Sequence, residues 1–113
     1  MEINKEILKG YIDTIILSMI DRRDMYGYEL SKYVKEESNH AFELKEGTLY
    51  LALKRLETNG LTESYWDESF EGGRRKYYRI TDLGKEFLKS KKDEWTFFKK
   101  IMDQFLKGVA GHD

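Results

Sequence analysis

The stretch FEGGRRKYYRIT, residues 70–81, concentrates positive charge in a chain of 113 residues whose formal net charge is −1. Its cations are Arg74, Arg75, Lys76 and Arg79. Two tyrosines interrupt them and a Gly-Gly pair precedes them, which indicates a strand after a tight turn rather than a disordered basic tail. Guanidinium groups on such a strand suit phosphate oxygens, because their planar fork pairs with two acceptors.

Alternation along the predicted strand assigns its side chains to two faces. One face carries Arg75, Tyr77 and Arg79, and the other carries Arg74, Lys76, Tyr78 and Ile80. We expect Tyr78 and Ile80 to face the core, so that Arg75 and Arg79 point outward. Arg74 and Lys76 are expected to be exposed near the tip. The alternative is a solvated edge strand whose charges prevent aggregation, and both interpretations can hold together.

A second candidate contact surface lies in KEGTLYLALKRLETNG, residues 45–60. Its periodicity predicts a helix with three leucines inward and Gly60 as its stop signal: Leu49, Leu53 and Leu56. In a helix-turn-helix the start of the second helix approaches the major groove, which makes Thr48, Tyr50 and Lys54 candidate DNA contacts. Two alternatives stay open. Tyr50 can be a core aromatic, and Lys54 with Arg55 can pair with Glu57 or a neighbouring acid.

These two segments fit a chain that is mainly α-helical with one small β-hairpin. The pattern predicts helices over 5–22, from Tyr26 to Ser38-Asn39, over 45–59 and over 83–107, with strands at 61–66 and 74–80 and a turn between them. Gly10 lies inside the first predicted helix. Short helices followed by a ribbon form a winged helix-turn-helix. We assign residues 1–81 to this DNA-binding domain, with the first helix also in the dimer interface, and residues 82–113 to a dimerisation helix and tail.

The last predicted helix carries a heptad seam with one lysine in it. Its members are Leu88, Lys91, Trp95, Phe98, Met102, Phe105 and Val109. The helices and ribbon before it already supply a core, so we expect a homodimer whose interface contains Leu88, Trp95, Phe98, Met102 and Phe105. The alternative is a monomer in which this helix pairs with the first one. A two-fold dimer suits double-stranded DNA with a palindromic operator.

Several classes of protein are disfavoured by composition. The chain has no cysteine, which removes disulfides and thiolate metal sites. No apolar run approaches the length of a membrane span and the N-terminus lacks a signal-peptide pattern, so we expect a cytoplasmic protein with no membrane partner. His40 and His112 are far apart, and no catalytic constellation is present. We therefore predict neither an enzyme nor a bound metal or cofactor.

Three stretches in this order resemble the PadR family of bacterial transcriptional regulators. They are YGYEL (26–30), EGTLYLALKRLETNGL (46–61) and GGRRKYYRITDLGKEFL (72–88). Each motif alone is weak, whereas the three together are specific. The short C-terminal helix is similar to that of the small, multidrug-sensing branch of the family. The resemblance implies a winged-helix dimer that represses transcription and leaves its operator when a ligand binds.

The resemblance also implies a ligand pocket at the dimer centre for a small aromatic molecule. Its residues would be Trp95, Phe98 and Lys99 on the last helix, with Ile7, Gly10, Asp13 and Thr14 of the first helix as the opposite wall. Lys99 replaces an acid of that branch, and Asp13 is a candidate to supply the missing negative charge. Leu51 stands where the family usually has proline.

Two rival functions remain at this stage. A winged helix can serve purely as a protein-interaction module without DNA or ligand, and such a module has no need of the basic cluster at residues 74–79. An RNA-binding winged helix would instead be expected to carry more exposed aromatic side chains on its basic face.

Overall fold

The computed structural model describes residues 1–110, and for Phe70 it describes the backbone alone. The helices of this part are α1 (Lys5–Lys9), α2 (Ile12–Arg22), α3 (Gly27–Glu37), α4 (Glu46–Thr58) and α5 (Asp82–Leu106). The strands are β1 (Met25–Tyr26), β2 (Thr62–Phe70) and β3 (Gly73–Ile80), which form one antiparallel sheet in the order β1-β3-β2. The predicted class, mainly α with a small hairpin and a long last helix, is confirmed. Residues 111–113 of the predicted tail, including His112, lie outside the described residues.

The core forms where α2, α3 and α4 meet one face of the sheet. Its fully buried side chains include Ile16, Leu17, Ile20, Leu30, Leu49, Leu53 and Leu56. The three leucines predicted to point inward from α4 are therefore buried. The sheet contributes Met25 and Tyr78, which are partners in the β1–β3 register and are both buried. Ile80 packs partly buried against this core, as expected.

The single first helix predicted over residues 5–22 is wrong, because two helices replace it. Asn4 caps α1 as expected, its side chain accepting a hydrogen bond from the Glu6 N–H. Gly10 then caps the end of α1, and Tyr11 is the N-cap residue of α2. A glycine lowers helix stability by about 1 kcal/mol relative to alanine. No residue of α1 is buried, so no packing offsets this cost.

The turn predicted over residues 67–73 is also wrong, since it is much shorter. β2 continues to Phe70 with a shift of register between Asp67 and Phe70, and the chain reverses at Glu71 and Gly72. Gly72 and Gly73 have φ values of +88° and +127°, which glycine adopts without a Cβ clash. The two-residue strand β1 was not predicted because a segment this short has no measurable periodicity.

The start of α5 is held against the end of α4. The Thr81 side chain accepts a hydrogen bond from the Gly84 N–H at 3.0 Å and donates one to the Gly60 carbonyl at 2.6 Å. Gly84 is the buried member of this contact, and a Cβ placed on it would overlap the Leu61 carbonyl oxygen. A glycine is therefore required where α5 leaves the sheet.

We predict that Gly84→Ala destabilises the fold, because the neighbour it would strike is backbone and cannot rotate away. Overpacking of this kind costs about 1–3 kcal/mol. Thermal or urea unfolding monitored by circular dichroism measures the loss. Gly47→Ala is the matched control, since nothing lies within 4 Å of its Cβ position. Equal stability of the two variants would contradict the close contact.

Candidate nucleic-acid interface

Helix α4 has a buried inner side, a solvent-facing strip opposite to it, and two flanks between them. The buried residues Leu49, Ala52, Leu53 and Leu56 define its inner side. At about 100° per residue, the opposite side is a strip facing solvent that contains Gly47, Leu51, Lys54 and Thr58. Lys54, a predicted DNA contact, lies on this strip and is exposed. The strip is the part of α4 that is accessible to a large partner.

Tyr50 and Thr48 lie on opposite flanks of α4, about 160° apart around the helix axis. Tyr50 is next to Lys54, and its ring lies over the start of α3, where Gly27 has no side chain to obstruct it. The ring stays about half exposed, so Tyr50 is not a core aromatic. Thr48 instead lines a cleft between α2, α4 and α5. The structure thus brings Tyr50 and Lys54 together and separates Thr48 from them.

Arg55 is engaged by an acid distant in sequence. Its guanidinium donates to both carboxylate oxygens of Asp13 on α2, at 3.0 and 2.5 Å. This hydrogen bonding raises the pKa of Arg55, with opposition from partial burial. The neighbouring acid that sequence reasoning left open is therefore Asp13 rather than Glu57. The pair joins α2 to α4 and occupies the carboxylate expected to meet a cationic ligand.

One face of the hairpin, which we call the outer wing face, carries Arg75, Tyr77 and Arg79 as alternation predicted. The Tyr77 ring lies between the rings of Tyr26 and Tyr65, with centroids 5.4 and 5.8 Å away. The Arg75 guanidinium lies 4.6 Å from the Tyr26 ring centroid, and that of Arg79 lies 5.1 Å from the Tyr65 centroid. The two arginines thus cover the ends of a row of three tyrosines.

Carboxylates accompany the cations of this outer wing face. Arg79 Nε donates to Glu63 at 3.0 Å across the strands. Asp67 lies opposite Arg75 in the register, and its pKa is lowered chiefly by hydrogen bonds from Ser69, with a smaller electrostatic contribution from Arg75. The positive charge on this face is therefore largely balanced within the sheet.

A partly buried hydrogen bond on the outer wing face also joins the hairpin to the segment before α3. The Tyr65 hydroxyl donates to the Asp24 carboxylate at 2.5 Å. This bond is the main cause that raises the pKa of Tyr65 to about 12, and burial adds to it. Asp24 immediately precedes β1, so the bond joins β2 to the segment leading into α3. This hydrogen bond restrains the position of the hairpin relative to the helices.

The opposite face, which we call the inner wing face, carries Trp66, Arg74 and Lys76 toward the tip. The Arg74 guanidinium lies 4.3 Å from the Trp66 ring centroid. The Lys76 ammonium lies 6.0 Å from the same ring and 5.6 Å from that of Tyr78. Trp66 is 51% exposed although Arg74 and Lys76 both lie over its ring. Sequence patterns did not identify Trp66 as a candidate contact, because its position opposite Lys76 follows only from the strand register.

The inner wing face is continuous with α4. Ser64 follows the same alternation as Trp66, and its hydroxyl donates to Glu57 of α4 at 3.2 Å. Tyr78, opposite Ser64, is buried; desolvation raises its pKa, and Glu57 and Tyr50 add smaller electrostatic contributions. The two candidate DNA-binding elements therefore share one corner of the molecule.

The apolar face of α5 is uncovered within a single chain. Trp95, Phe98, Met102 and Phe105 are 48%, 49%, 37% and 78% exposed. Leu88 differs from them because it packs partly buried against the core of its own chain. Phe97 is a further exposed aromatic that the heptad pattern did not include.

The predicted ligand residues fall into separate groups. Gly10, Asp13 and Thr14 line the cleft of about 450 Å³ between α2, α4 and α5, together with Phe87 and Lys91. Trp95 instead contacts Tyr11 edge-on, with ring centroids 5.9 Å apart, and lies 6.2 Å from the Phe98 ring. Lys99 pairs with Asp103 at 3.1 Å, and Ile7 is exposed on α1. Within a single chain the predicted ligand residues therefore do not line one common pocket.

Residues 1–110 also bear on metal binding and on membrane insertion. In that part of the chain no three His, Cys, Asp or Glu side chains converge as they would around a metal ion. No helix there has the length and hydropathy needed to cross a bilayer.

The chain matches the model of the transcriptional regulator PadR-like family over residues 16–90. A transcriptional regulator from Clostridium thermocellum is 43% identical, with a TM-score of 0.84 over 92% of this chain and 98% of that one. A PadR family regulator from Clostridium difficile is 54% identical, with a TM-score of 0.76 over 85% and 98%.

A PadR-like transcriptional regulator from Bacillus cereus is 34% identical, with a TM-score of 0.80 over 91% of this chain and 98% of that one. These matches confirm the family resemblance found in the three sequence motifs. The similarity to the multidrug-sensing branch stays a prediction. By its family match, its fold and its relatives, this chain belongs to the PadR-like family of transcriptional regulators.

Proposed function

We propose that the protein is a cytoplasmic homodimeric repressor that binds a palindromic double-stranded DNA operator and is released by a small aromatic ligand. It acts by binding rather than by catalysis. The observation that carries the proposal is the corner at which the solvent-facing strip of α4 and the basic hairpin adjoin. One element suits the major groove, and the other suits the adjacent phosphate backbone.

The α4 strip has the composition of a groove-reading surface. Lys54 and Tyr50 present donors beside each other, while Gly47 leaves room for close approach. The burial of four residues on the inner side of α4 makes the strip rigid. A rigid strip favours DNA binding, because no conformational entropy is lost in ordering the helix when the complex forms.

The dimer is supported by the exposed face of α5. A contiguous patch of exposed apolar side chains on a soluble protein marks an interaction site. The heptad spacing gives this patch a seam, which favours a second copy of the same helix as its partner. Within one chain Tyr11 contacts Trp95, yet the seam residues Trp95, Phe98, Met102 and Phe105 remain 37–78% exposed, so packing inside a single chain leaves most of the seam uncovered. A closed two-fold pair also places two DNA-binding corners on one duplex.

The ligand site is proposed at the same seam. Trp95 offers a wide π-face, and its mate in the second copy would offer another across the two-fold axis. Offset stacking of aromatic rings contributes about 0.5–1.5 kcal/mol per pair beyond area burial. Because Asp13 is bound to Arg55 and Lys99 to Asp103, neither supplies an uncompensated charge. The pocket therefore suits a planar aromatic ligand selected by shape more than by charge.

The rival, an interaction module without DNA, is disfavoured by the concentration of cations at one end of the hairpin. The half-exposed Trp66 supports the RNA-binding alternative, because an exposed indole ring can stack on unpaired bases. Competition between a duplex and a single-stranded RNA of equal length distinguishes these alternatives, and we expect the duplex to bind more tightly.

DNA binding should weaken steeply with salt. If each subunit neutralises about three phosphates, the dimer neutralises about six, and log affinity should fall against log salt with a slope of about −5. Fluorescence anisotropy with the duplex upstream of its own gene, measured across a salt series, gives this slope. A slope near zero, or no binding at low salt, would contradict the repressor.

Dimerisation should fail in Phe105→Glu, because the new carboxylate would lie in the apolar seam. Stranding an unpaired charge there costs several kcal/mol. Light scattering or sedimentation should report monomers or aggregates. Gln104→Glu adds the same charge one residue earlier, about 100° around α5 from Phe105 and outside the apolar seam, and should remain dimeric. An intact, well-folded Phe105→Glu dimer would place the interface elsewhere.

Planar dyes should quench the fluorescence of Trp95. Trp66→Phe leaves Trp95 as the single tryptophan, and we expect saturable quenching at one dye per dimer for neutral and cationic dyes alike. Trp95→Ala should lose dye binding and keep DNA binding, because the two sites use different residues. Absence of quenching, or equal dye binding by the alanine variant, would rule out the pocket.

A further inference from the structure

The two faces of the wing differ in how their positive charge is compensated, although both carry two cations. On the outer wing face, Arg79 is bonded to Glu63 and Arg75 lies opposite Asp67. On the inner wing face, Arg74 and Lys76 contact aromatic rings. Among the residues that the structure describes, neither makes an ion pair with a carboxylate. Uncompensated cations release counterions when they meet phosphate, without first breaking an internal pair.

The inner wing face also points to the side where α4 begins. β2 follows α4 after the turn at Gly60 and runs back along it, since Ser64 contacts Glu57 near the end of α4. Tyr50 lies about 10 Å before Glu57 along the helix, and Trp66 lies about 7 Å beyond Ser64 along the strand. Tyr78 shares this face with Lys76 and Arg74, and both Glu57 and Tyr50 of α4 act on its hydroxyl electrostatically. The inner wing face therefore adjoins the side of α4 that carries Tyr50, toward the N-terminal end of the helix. That end of the second helix approaches DNA in a helix-turn-helix.

The contact between Trp66 and Arg74 leaves the donors of the guanidinium accessible. Stacking on an indole engages the flat face of the guanidinium, so the N–H groups around its edge stay directed outward. Those N–H groups form the fork that pairs with two phosphate oxygens. An arginine already held flat loses less side-chain freedom on binding than a freely rotating one. The half-exposed Trp66 thus has a reason to remain at the surface.

We propose that the inner wing face, formed by Trp66, Arg74 and Lys76, is the wing surface that contacts the DNA phosphate backbone. Trp66 acts as a positioning residue that holds Arg74 flat for a phosphate, while Arg75 and Arg79 stabilise the sheet. The assignment rests on the proposed DNA-binding function and adds which face of the wing performs it.

The test compares two arginines of the same strand. Arg74→Ala should weaken binding of the upstream duplex by at least about tenfold at fixed salt, the loss expected for a charge-assisted hydrogen bond in each subunit. It should also make the salt slope shallower by about two for the dimer. Arg79→Ala removes the same group from the outer wing face, and should bind within about twofold of the parent with an unchanged slope, because its charge is compensated by Glu63.

Trp66 is tested by its conservative replacement. Trp66→Ala should lose affinity with an unchanged salt slope, since no cation is removed, and Trp66→Phe should recover part of the loss by keeping a π-face. A general packing role would lower the thermal stability of Trp66→Ala, whereas a positioning role leaves it near that of the parent.

These measurements distinguish failure of the DNA-binding function from failure of the inner-wing-face assignment. A parent protein that does not bind the duplex removes the DNA-binding function itself, and this assignment with it. If the parent binds with a steep salt slope but Arg79→Ala loses at least as much affinity as Arg74→Ala, the assignment of the inner wing face is overturned while the DNA-binding function stands. Full affinity in Trp66→Ala overturns the positioning role of the indole.

Discussion

Burial of Tyr78 between the sheet and α4 is the constraint on which the candidate DNA-binding surface depends. The ring is buried among the core residues while its strand continues outward to Lys76 and Arg74. Because side chains alternate, burying Tyr78 decides which cations share a face with α4 and which lie on the far side. A slip of one residue in this register would exchange the two sets. The Tyr65–Asp24 hydrogen bond holds the same register from the other face.

The sequence predicted those elements whose signal is local and periodic. Helix α4 has a strong inward leucine pattern and a glycine stop, and β3 follows a Gly-Gly turn and contains two adjacent tyrosines, so both were predicted closely. The break at Gly10 depends on the absence of packing around α1, which no local pattern reports. The Asp13–Arg55 pair joins residues 42 apart in a chain with 21 acidic residues, so charge alone could not select the partner. Strand β1 and the exposure of Trp66 likewise follow only from the folded register.

The same contacts connect the two proposed functions. Trp95 of α5 contacts Tyr11, the N-cap residue of α2. Asp13, two residues further along the chain, forms an ion pair with Arg55 of α4. A molecule seated beside Trp95 would meet α2 at its first turn, and a shift of α2 would act on α4 through one bidentate ion pair. These contacts form the short path through which a ligand at Trp95 would act on α4 under the proposed function. A shift of α4 relative to the sheet would misalign the two proposed DNA contacts.

Hydroxyl-radical footprinting of the protein, with and without its operator duplex, tests the central claim most directly, because oxidation of aromatic side chains reports their exposure residue by residue. The account predicts that DNA protects Trp66 and Tyr50, which border the corner between the inner wing face and α4. Tyr65 and Tyr77 on the outer wing face should react as fast in the complex as in the free protein. Protection of Tyr65 and Tyr77 with unchanged oxidation of Trp66 and Tyr50 would contradict the account.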